Sequence, residues 1–357
     1  MLNKIKKLLK FIDNINLEKK IIIFCESENL YKKVLKKELI NLIQKNIIDQ
    51  IVLVSFKNNM NYVEEKNILR INLKNEFFLK LFFRNLNNSI IISTTPTINK
   101  KLSNTTNKFF YTQHSLCLLS NEFLAKDFFN FDFICVNNFD QYLNAHELIK
   151  KSDKKVSIIK ERYYELDELF SDNIDNKSEQ TNTILIASSF YGNSIIENID
   201  IGFLKKLSLD NHIIFRPHPE SFKNLKHMKV IENIDNLKIK NLTVSKESSN
   251  KNDIKISNQL ITDYSAIALT FAYYKKKKII NLLKNTSDIE ILQKNINKET
   301  LKIISQISYY NYEEILNLID LNKNSEFNSM QILINKQFKE FKKKVDYQSL
   351  FNLLILN

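Results

Sequence analysis

The sequence predicts an α/β protein built from two doubly wound domains in series, and three observations carry that prediction. Short β-branched runs alternate with stretches of helical periodicity, as the buried strands of parallel sheets do. A polar segment at 171–183, SDNIDNKSEQTNT, breaks the rhythm with one apolar residue in thirteen, and a second α/β rhythm follows it. The 357 residues suit two domains of roughly 150–200 residues better than a single core.

The elements follow in order. Residues 2–12 place Leu2, Ile5, Leu8, Leu9 and Ile12 at helical spacing, with Lys4, Lys6, Lys7 and Lys10 on the other side. Strands are expected at 21–27, 51–56, 89–95, 109–113 and 131–138, with a helical stretch at 29–46. After the polar segment, strands are expected at 183–189, 212–217, around 228–231, at 259–262 and at 278–283. Helices are expected near 193–209 and 265–275, and 284–357 reads as mainly helical, closing on a lysine-rich 336–345 and an apolar 349–356. The expected domains are thus 1–172 and 180–330, with a helical tail at 331–357. Ligands of open α/β sheets bind beyond the carboxyl ends of the strands, so two such domains would face each other across a cleft lined by those ends.

Composition narrows the class. Hydrophobic residues at 43% and charged residues at 26% exclude wholesale disorder. No apolar run approaches the roughly 18–20 residues that span a bilayer, and the opening residues lack a secretory-signal pattern. Cys25, Cys117 and Cys135 form no CxxC pair, which excludes a disulfide scaffold or zinc ribbon and points to a reducing cytoplasm. The net charge of +13 comes from 53 basic and 40 acidic residues and points to an anionic partner. Only four of the basic residues are arginines (Arg70, Arg84, Arg162, Arg216), and the richness in Asn, Ile and Lys is what an AT-rich genome produces. With 2 Gly and 3 Pro in the chain, turns must be made by Asn and Asp, which tolerate the left-handed region.

Four segments could carry chemistry. IIFRPHPES (213–221) ends a strand and flanks His218 with prolines, which hold its backbone extended. Arg216 could grip a phosphate and His218 could donate a hydrogen bond or proton to a leaving phosphate; a proline-stiffened turn with an ion pair to Glu220 is the plainer alternative. In QLITDYSAIALTF (259–271), Asp263, Tyr264 and Ser265 lie between a strand and a helix, where free N–H groups favour an anion. Ordinary N-capping by Asp263 or Ser265 would give the same pattern. His114 in FFYTQHSLCLL (109–119) follows a strand and suits a general base for a hydroxyl, or merely a strand-end hydrogen bond. In ASSFYGNSII (187–196), Gly192 sits in a strand-to-helix turn among Ser188, Ser189, Asn193 and Ser194, open to close approach by a phosphate or sugar. GxGxxG, P-loop, DxD and HExxH patterns are absent, no metal site is expected, and His146, His212 and His227 read as structural or surface residues.

Together these segments resemble the CDP-glycerol glycerophosphotransferase family, the teichoic-acid-polymerase-like enzymes and their relatives in capsule and surface-glycan loci. The resemblance runs over about residues 109–283. It differs at Gln113-His114-Ser115, where the family has Trp-His-Gly, and at Ala266, where it has a second serine. It implies a GT-B fold, a CDP-linked donor as substrate with no separate cofactor, and no required metal. By position it makes Arg216, His218, Asp263 and Ser265 donor-phosphate residues and His114 the first-domain catalytic histidine. It also implies a glycan or lipid-linked acceptor.

The expected function is transfer of glycerol phosphate, or a related alditol phosphate, to an acceptor hydroxyl. The site would comprise His114 and His218 as catalytic residues, and Arg216, Asp263, Tyr264, Ser265, Ser189, Gly192 and Asn193 around the donor. A glycosyltransferase using a CMP- or UDP-sugar is the alternative within the fold. A basic nucleic-acid-binding or surface-assembly protein is the alternative outside it, and the scattered lysines and lack of a nucleic-acid module speak against it. Segment 2–12, and the pair 336–345 with 349–356, could attach to an anionic membrane face.

Overall fold

A computed structural model describes residues 2–341, apart from 18–19, 25–36, 57–66, 97, 99, 103–105, 122–123, 151, 154, 172–181, 191, 248 and 324–327. Most of the expected linker, part of the helical stretch at 29–46, Cys25 and the apolar 349–356 lie outside the described residues. The chain forms two compact units. Unit 1 comprises Met1–Ser115, Glu122–Tyr164 and Glu340–Asn357; unit 2 comprises Leu116–Asn121 and Glu165–Lys339.

Unit 1 holds β1 (Lys20–Phe24), β2 (Gln50–Phe56), β3 (Ile68–Leu73), β4 (Ile90–Ser93), β5 (Lys108–Thr112), β6 (Phe133–Val136) and β7 (Ser157–Lys160). They form one parallel sheet in the order β3-β2-β1-β4-β5-β6-β7. Unit 2 holds β8 (Thr183–Ala187), β9 (His212–Arg216), β10 (Leu242–Val244), β11 (Gln259–Thr262), β12 (Ile279–Leu282) and β13 (Ser305–Ser308). Its sheet is also parallel, in the order β10-β9-β8-β11-β12-β13. In both sheets the order reverses beside the first strand, between β1 and β4 and between β8 and β11. Each reversal opens a crevice at the carboxyl ends of the strands. The central strands β1, β8, β11 and β12 are buried at every position, which is why they read as continuous apolar runs rather than alternating ones.

Edge strands escaped the sequence reading. β7 is only half-buried along its length, and three of the four residues of β13 are as well, so neither presents an apolar run. The strand expected around 228–231 is instead part of a helix, Leu225–Asn236. Its buried His227, Ile231 and Ile234 recur at helical spacing, and the Asn224 side chain caps it by accepting the N–H groups of Lys226 and His227. The expected helix near 193–209 is two short ones, Ile195–Asn198 and Ile201–Leu207, and the Asp200 side chain caps the second.

The units also part from the expected boundaries. Helix Tyr164–Ser171 falls largely in unit 2 rather than in a first domain ending at 172. Leu166 and Leu169 are buried, Phe170 packs on Tyr274 at 5.3 Å between ring centroids, and Glu168 pairs with Lys251. Leu118 donates to the Asn295 carbonyl at 2.8 Å, which ties 116–121 to unit 2. From Glu340 the chain returns to unit 1, where Lys160 pairs with Glu340 and lies over the Phe341 ring; 331–357 is therefore not one separate tail.

Asparagine supplies the turns, as its abundance suggests. Among the described residues eight non-glycine positions take positive φ, and Asn46, Asn67, Asn88, Asn193 and Asn241 are five of them. Helix Leu2–Asn16 commits Leu8, Ile12 and Ile15 to the core of unit 1 and leaves Lys4, Lys6, Lys7 and Lys10 exposed. Its apolar stripe is thus occupied, at about 1.5–3 kcal/mol for each large side chain buried. No described helix is long and apolar enough to cross a membrane.

Candidate functional site

In unit 2 the loop after β8 and the turn after β11 meet at the point where the strand order reverses. Asp263, fully buried, directs its carboxylate into the β8 loop. It accepts the Ser189 N–H at 2.9 Å and the Ile195 N–H at 2.8 Å. The Ser188 hydroxyl accepts the Ile196 N–H at 2.9 Å, and Thr262 Oγ1 donates to the Ala187 carbonyl at 2.7 Å. Burial raises the Asp263 carboxyl to about 6, even though the backbone N–H groups of Ile195, Ser189 and Tyr264 favour its charged form. The expected direct contact between Asp263 and a donor phosphate therefore does not fit. Its oxygens are enclosed, and its work is to hold the loop.

What the loop leaves open is polar. Ser189 Oγ and Ser194 Oγ are buried and make no hydrogen bond among the described residues. Between them, Gly192 is exposed, and a Cβ added there would meet nothing within 4 Å. Asn193, not the glycine, takes the left-handed φ of 65°. Neither conformation nor packing requires glycine at 192, which leaves access to the backbone as its physical consequence. Across the crevice, helix Ile267–Lys275 starts at Ala266 with no side-chain cap. Side-chain capping by Asp263 or Ser265 is thus not what these residues do; the Ala268 N–H is taken by the Ser265 carbonyl at 3.1 Å, and the helix dipole still favours an anion at this end. Ser265 is half-buried at that end, and Tyr264 is buried, its phenol pushed up by burial and by the neighbouring Asp288 carboxylate.

RPHPES follows β9 in the same sheet. His218 caps the short 3-10 helix Pro219–Lys223 by accepting the Glu220 N–H on Nδ1 at 3.1 Å. That bond leaves the imidazole proton on Nε2 in the neutral tautomer. Burial, joined by the charges of Arg216 and Lys223 and opposed by Glu220, lowers its pKa to about 4. His218 is thus a neutral N–H donor at physiological pH, with its ring packed on Phe190 of the β8 loop at 4.5 Å. An ion pair to Glu220 does not form; Glu220 pairs with Lys223. A hollow of about 410 Å³ opens beside Phe190, lined also by Glu220, Lys223, Asn224, Leu225 and His227.

Arg216 departs from expectation. Its guanidinium donates to Asp253 at 2.6 Å, to Ser245 Oγ at 3.0 Å and to the Glu247 carbonyl at 2.9 Å, and the pair is buried. It ties the end of β9 to the loop after β10 and does not present a free fork. Asp253 stands 37 residues away in sequence, and no spacing rule marks it. His227 is likewise structural: buried, with Ser221 Oγ at 3.2 Å and Glu197 at 3.3 Å on its two nitrogens.

In unit 1, His114 follows β5 and is half-buried between the buried Gln113 and Ser115. Unit 2 thus gathers Ser189, Gly192, Asn193, Asp263, Tyr264, Ser265, Arg216 and His218 on the loops beyond β8, β9 and β11, and His114 stands apart on unit 1. Among the described residues no group of three or more His, Cys, Asp or Glu could hold a metal ion.

No protein-family model matches the sequence, and no curated protein does. Solved structures do match. The wall teichoic acid polymerase TagF aligns at 15% identity and TM-score 0.65, over 99% of this chain and 94% of that one. A variant of TagF aligns at 13% and 0.67 over the same shares. UDP-N-acetylglucosamine 2-epimerase from Rickettsia bellii aligns at 12% and 0.54, over 95% and 96%. At such identities the likeness is one of fold, and the fold is GT-B.

Proposed function

We propose that this chain is a transferase that moves an alditol phosphate, glycerol phosphate first among them, from a CDP-linked donor to an acceptor hydroxyl. The observation that carries the reading is the β8 loop clamped by Asp263, which sets unsatisfied serine hydroxyls, an open glycine and an uncapped helix N-terminus around one crevice. Such an arrangement suits a diphosphate. The similarity to TagF, named as a wall teichoic acid polymerase, supports this choice of donor.

In the proposed reaction the acceptor oxygen attacks the donor phosphorus that bears glycerol. Its proton passes to His114, a new P–O bond forms, and the bond to the CMP oxygen breaks. Charge that develops on CMP is met by the Nε2–H of His218, the Ser265 hydroxyl and the positive end of the dipole of helix Ile267–Lys275. Asp263 and Arg216 act at one remove, by holding the loops. The acceptor is a surface-glycan or lipid-linked hydroxyl, met at the cytoplasmic face of an anionic membrane. Exposed Lys4, Lys6, Lys7 and Lys10 support that placement by charge alone.

A thermal-shift screen tests the donor. CDP and CMP should stabilise the protein far more than UDP or GDP, by mass action on the folded state. Preferential stabilisation by UDP, as the epimerase likeness would favour, moves the reading to a nucleotide-sugar enzyme. No response to any nucleotide removes the donor site.

A further inference from the structure

We infer that Gln141 is a positioning residue for His114, set in helix Phe139–Ile149 and reaching the histidine loop from the neighbouring strand's side. The inference rests on the reading of His114 as the acceptor-side base. Gln141 is fully buried, and both ends of its amide are engaged. Its Oε1 accepts the Asn137 N–H at 2.8 Å, just past β6, and its Nε2 donates to the Ser115 carbonyl at 2.8 Å. Its own N–H is taken by the Asn138 side chain at 2.8 Å. The amide is therefore a strut between two strand ends, with one foot on the residue that follows His114.

The other flank is fixed as well. Tyr111 Oη donates to Gln113 Oε1 at 2.5 Å, and Gln113 Nε2 donates to Ser115 Oγ at 3.4 Å. Tyr111, Gln113 and Ser115 follow one another at a spacing of two and are all buried, while His114 between them is half-exposed. Pinning residues 113 and 115 inward turns residue 114 outward. A base that must take a proton in flight depends on such placement, because a displacement of about 1 Å can lower turnover by about 100-fold.

The test uses the full chain with CDP-glycerol and a synthetic polyprenyl-linked disaccharide primer, reading CMP release alongside CDP affinity. Gln141→Leu removes both bonds. Gln141→Met also removes both bonds, with an unbranched side chain of similar length, and urea unfolding of each variant separates a folding failure from lost placement. Both should lower kcat by about 10- to 100-fold with CDP affinity unchanged, and neither should lower it further in a His114→Ala background. Unchanged kcat in the two variants, or a loss that persists in full beside His114→Ala, would overturn the inference. If His114→Ala itself turns over like the wild type, the failure belongs to the assignment of the base. If His114→Ala is inactive while both Gln141 variants are normal, only the positioning role fails.

Discussion

Substituting Gly192 by alanine separates a ligand's demand for glycine from the protein's own. A Cβ at 192 meets nothing within 4 Å, and the residue does not have positive φ. Where a backbone tolerates alanine, the exchange stabilises by about 0.4–1 kcal/mol through the unfolded chain. Gly192→Ala should therefore melt at the same or slightly higher urea concentration. Donor binding should move the opposite way. If a phosphate oxygen reaches the backbone of this turn, the methyl group holds it off and forfeits about one hydrogen bond to a charged group. Such a bond contributes about 1.5–3 kcal/mol, or about 10- to 200-fold in Kd. Calorimetric titration with CDP, together with urea unfolding, reads both quantities. Unchanged CDP affinity with intact stability would refute the approach of a phosphate to this turn. A stability loss above about 1 kcal/mol would refute the open space itself.

Four further outcomes follow from the geometry. His218→Ala should weaken CDP binding as well as turnover, whereas His114→Ala should spare CDP affinity and lower turnover by about 10²–10⁴-fold; equal affinity and undiminished turnover in both would dissolve the site. Asp253→Ala leaves the buried Arg216 without its carboxylate and should destabilise by about 3–5 kcal/mol in urea, with a loss below 1 kcal/mol counting against a buried pair. Asp263, raised to about 6, favours the fold below about pH 4 and loses that contribution as pH rises to 6, while His218, lowered to about 4, contributes fully above 6.5 and loses it as pH falls to 4; His218→Asn should therefore make stability fall more steeply from pH 4 to 6 than in the wild type, by about 3 kcal/mol, and identical pH profiles would refute the shifts. Binding to anionic vesicles should vanish at high salt and in a variant with Lys4, Lys6, Lys7 and Lys10 all changed to Gln, since each lysine contributes about 1 kcal/mol; flotation that survives both changes would contradict attachment by charge.

How much of this was legible in the sequence depended on how completely each element is buried. β1, β8, β11 and β12, enclosed on both faces, announced themselves as β-branched runs, whereas the half-exposed β7 and β13 did not. Residues 228–231 misled because Val230 and Ile231 imitate a strand locally, while the helix depends on His227 and on the Asn224 cap outside that window. RPHP and TDYS lie on loops that the fold gathers at one end of the second sheet, but the contacts those residues make lie with long-range partners. Nothing near Arg216 in sequence foretells Asp253, and nothing near Asp263 foretells the N–H groups of Ser189 and Ile195. Gln141 carried no signal at all, since a helical glutamine reads as a surface residue.

A buried carboxylate beneath a crevice offered to a diphosphate looks like a contradiction, since like charges repel. Burial resolves part of it: with a pKa near 6, Asp263 ionises less readily than an ordinary carboxylate. Geometry resolves the rest. Its oxygens accept the N–H groups of Ser189 and Ile195, so the negative charge is compensated by fixed dipoles before any ligand arrives. The same bonds anchor Ser189 and Ile195 within the free protein. On the proposed reading, anchors of this kind hold Ser189 and Ser194 ready for the donor, and preorganised donors stabilise developing charge without reorganising. On that reading Asp263 serves the donor phosphates by shaping the loop rather than by touching them. For the same reason Asp263→Asn should act through loop order as well as charge. An amide oxygen in the place of Oδ2 can still accept the Ile195 N–H (2.8 Å) and the Ser189 N–H (3.1 Å). The NH2 group in the place of Oδ1, however, sets a donor 2.9 Å from the Ser189 nitrogen. Urea unfolding should therefore show a loss of stability, and an unchanged midpoint would refute the role of that contact.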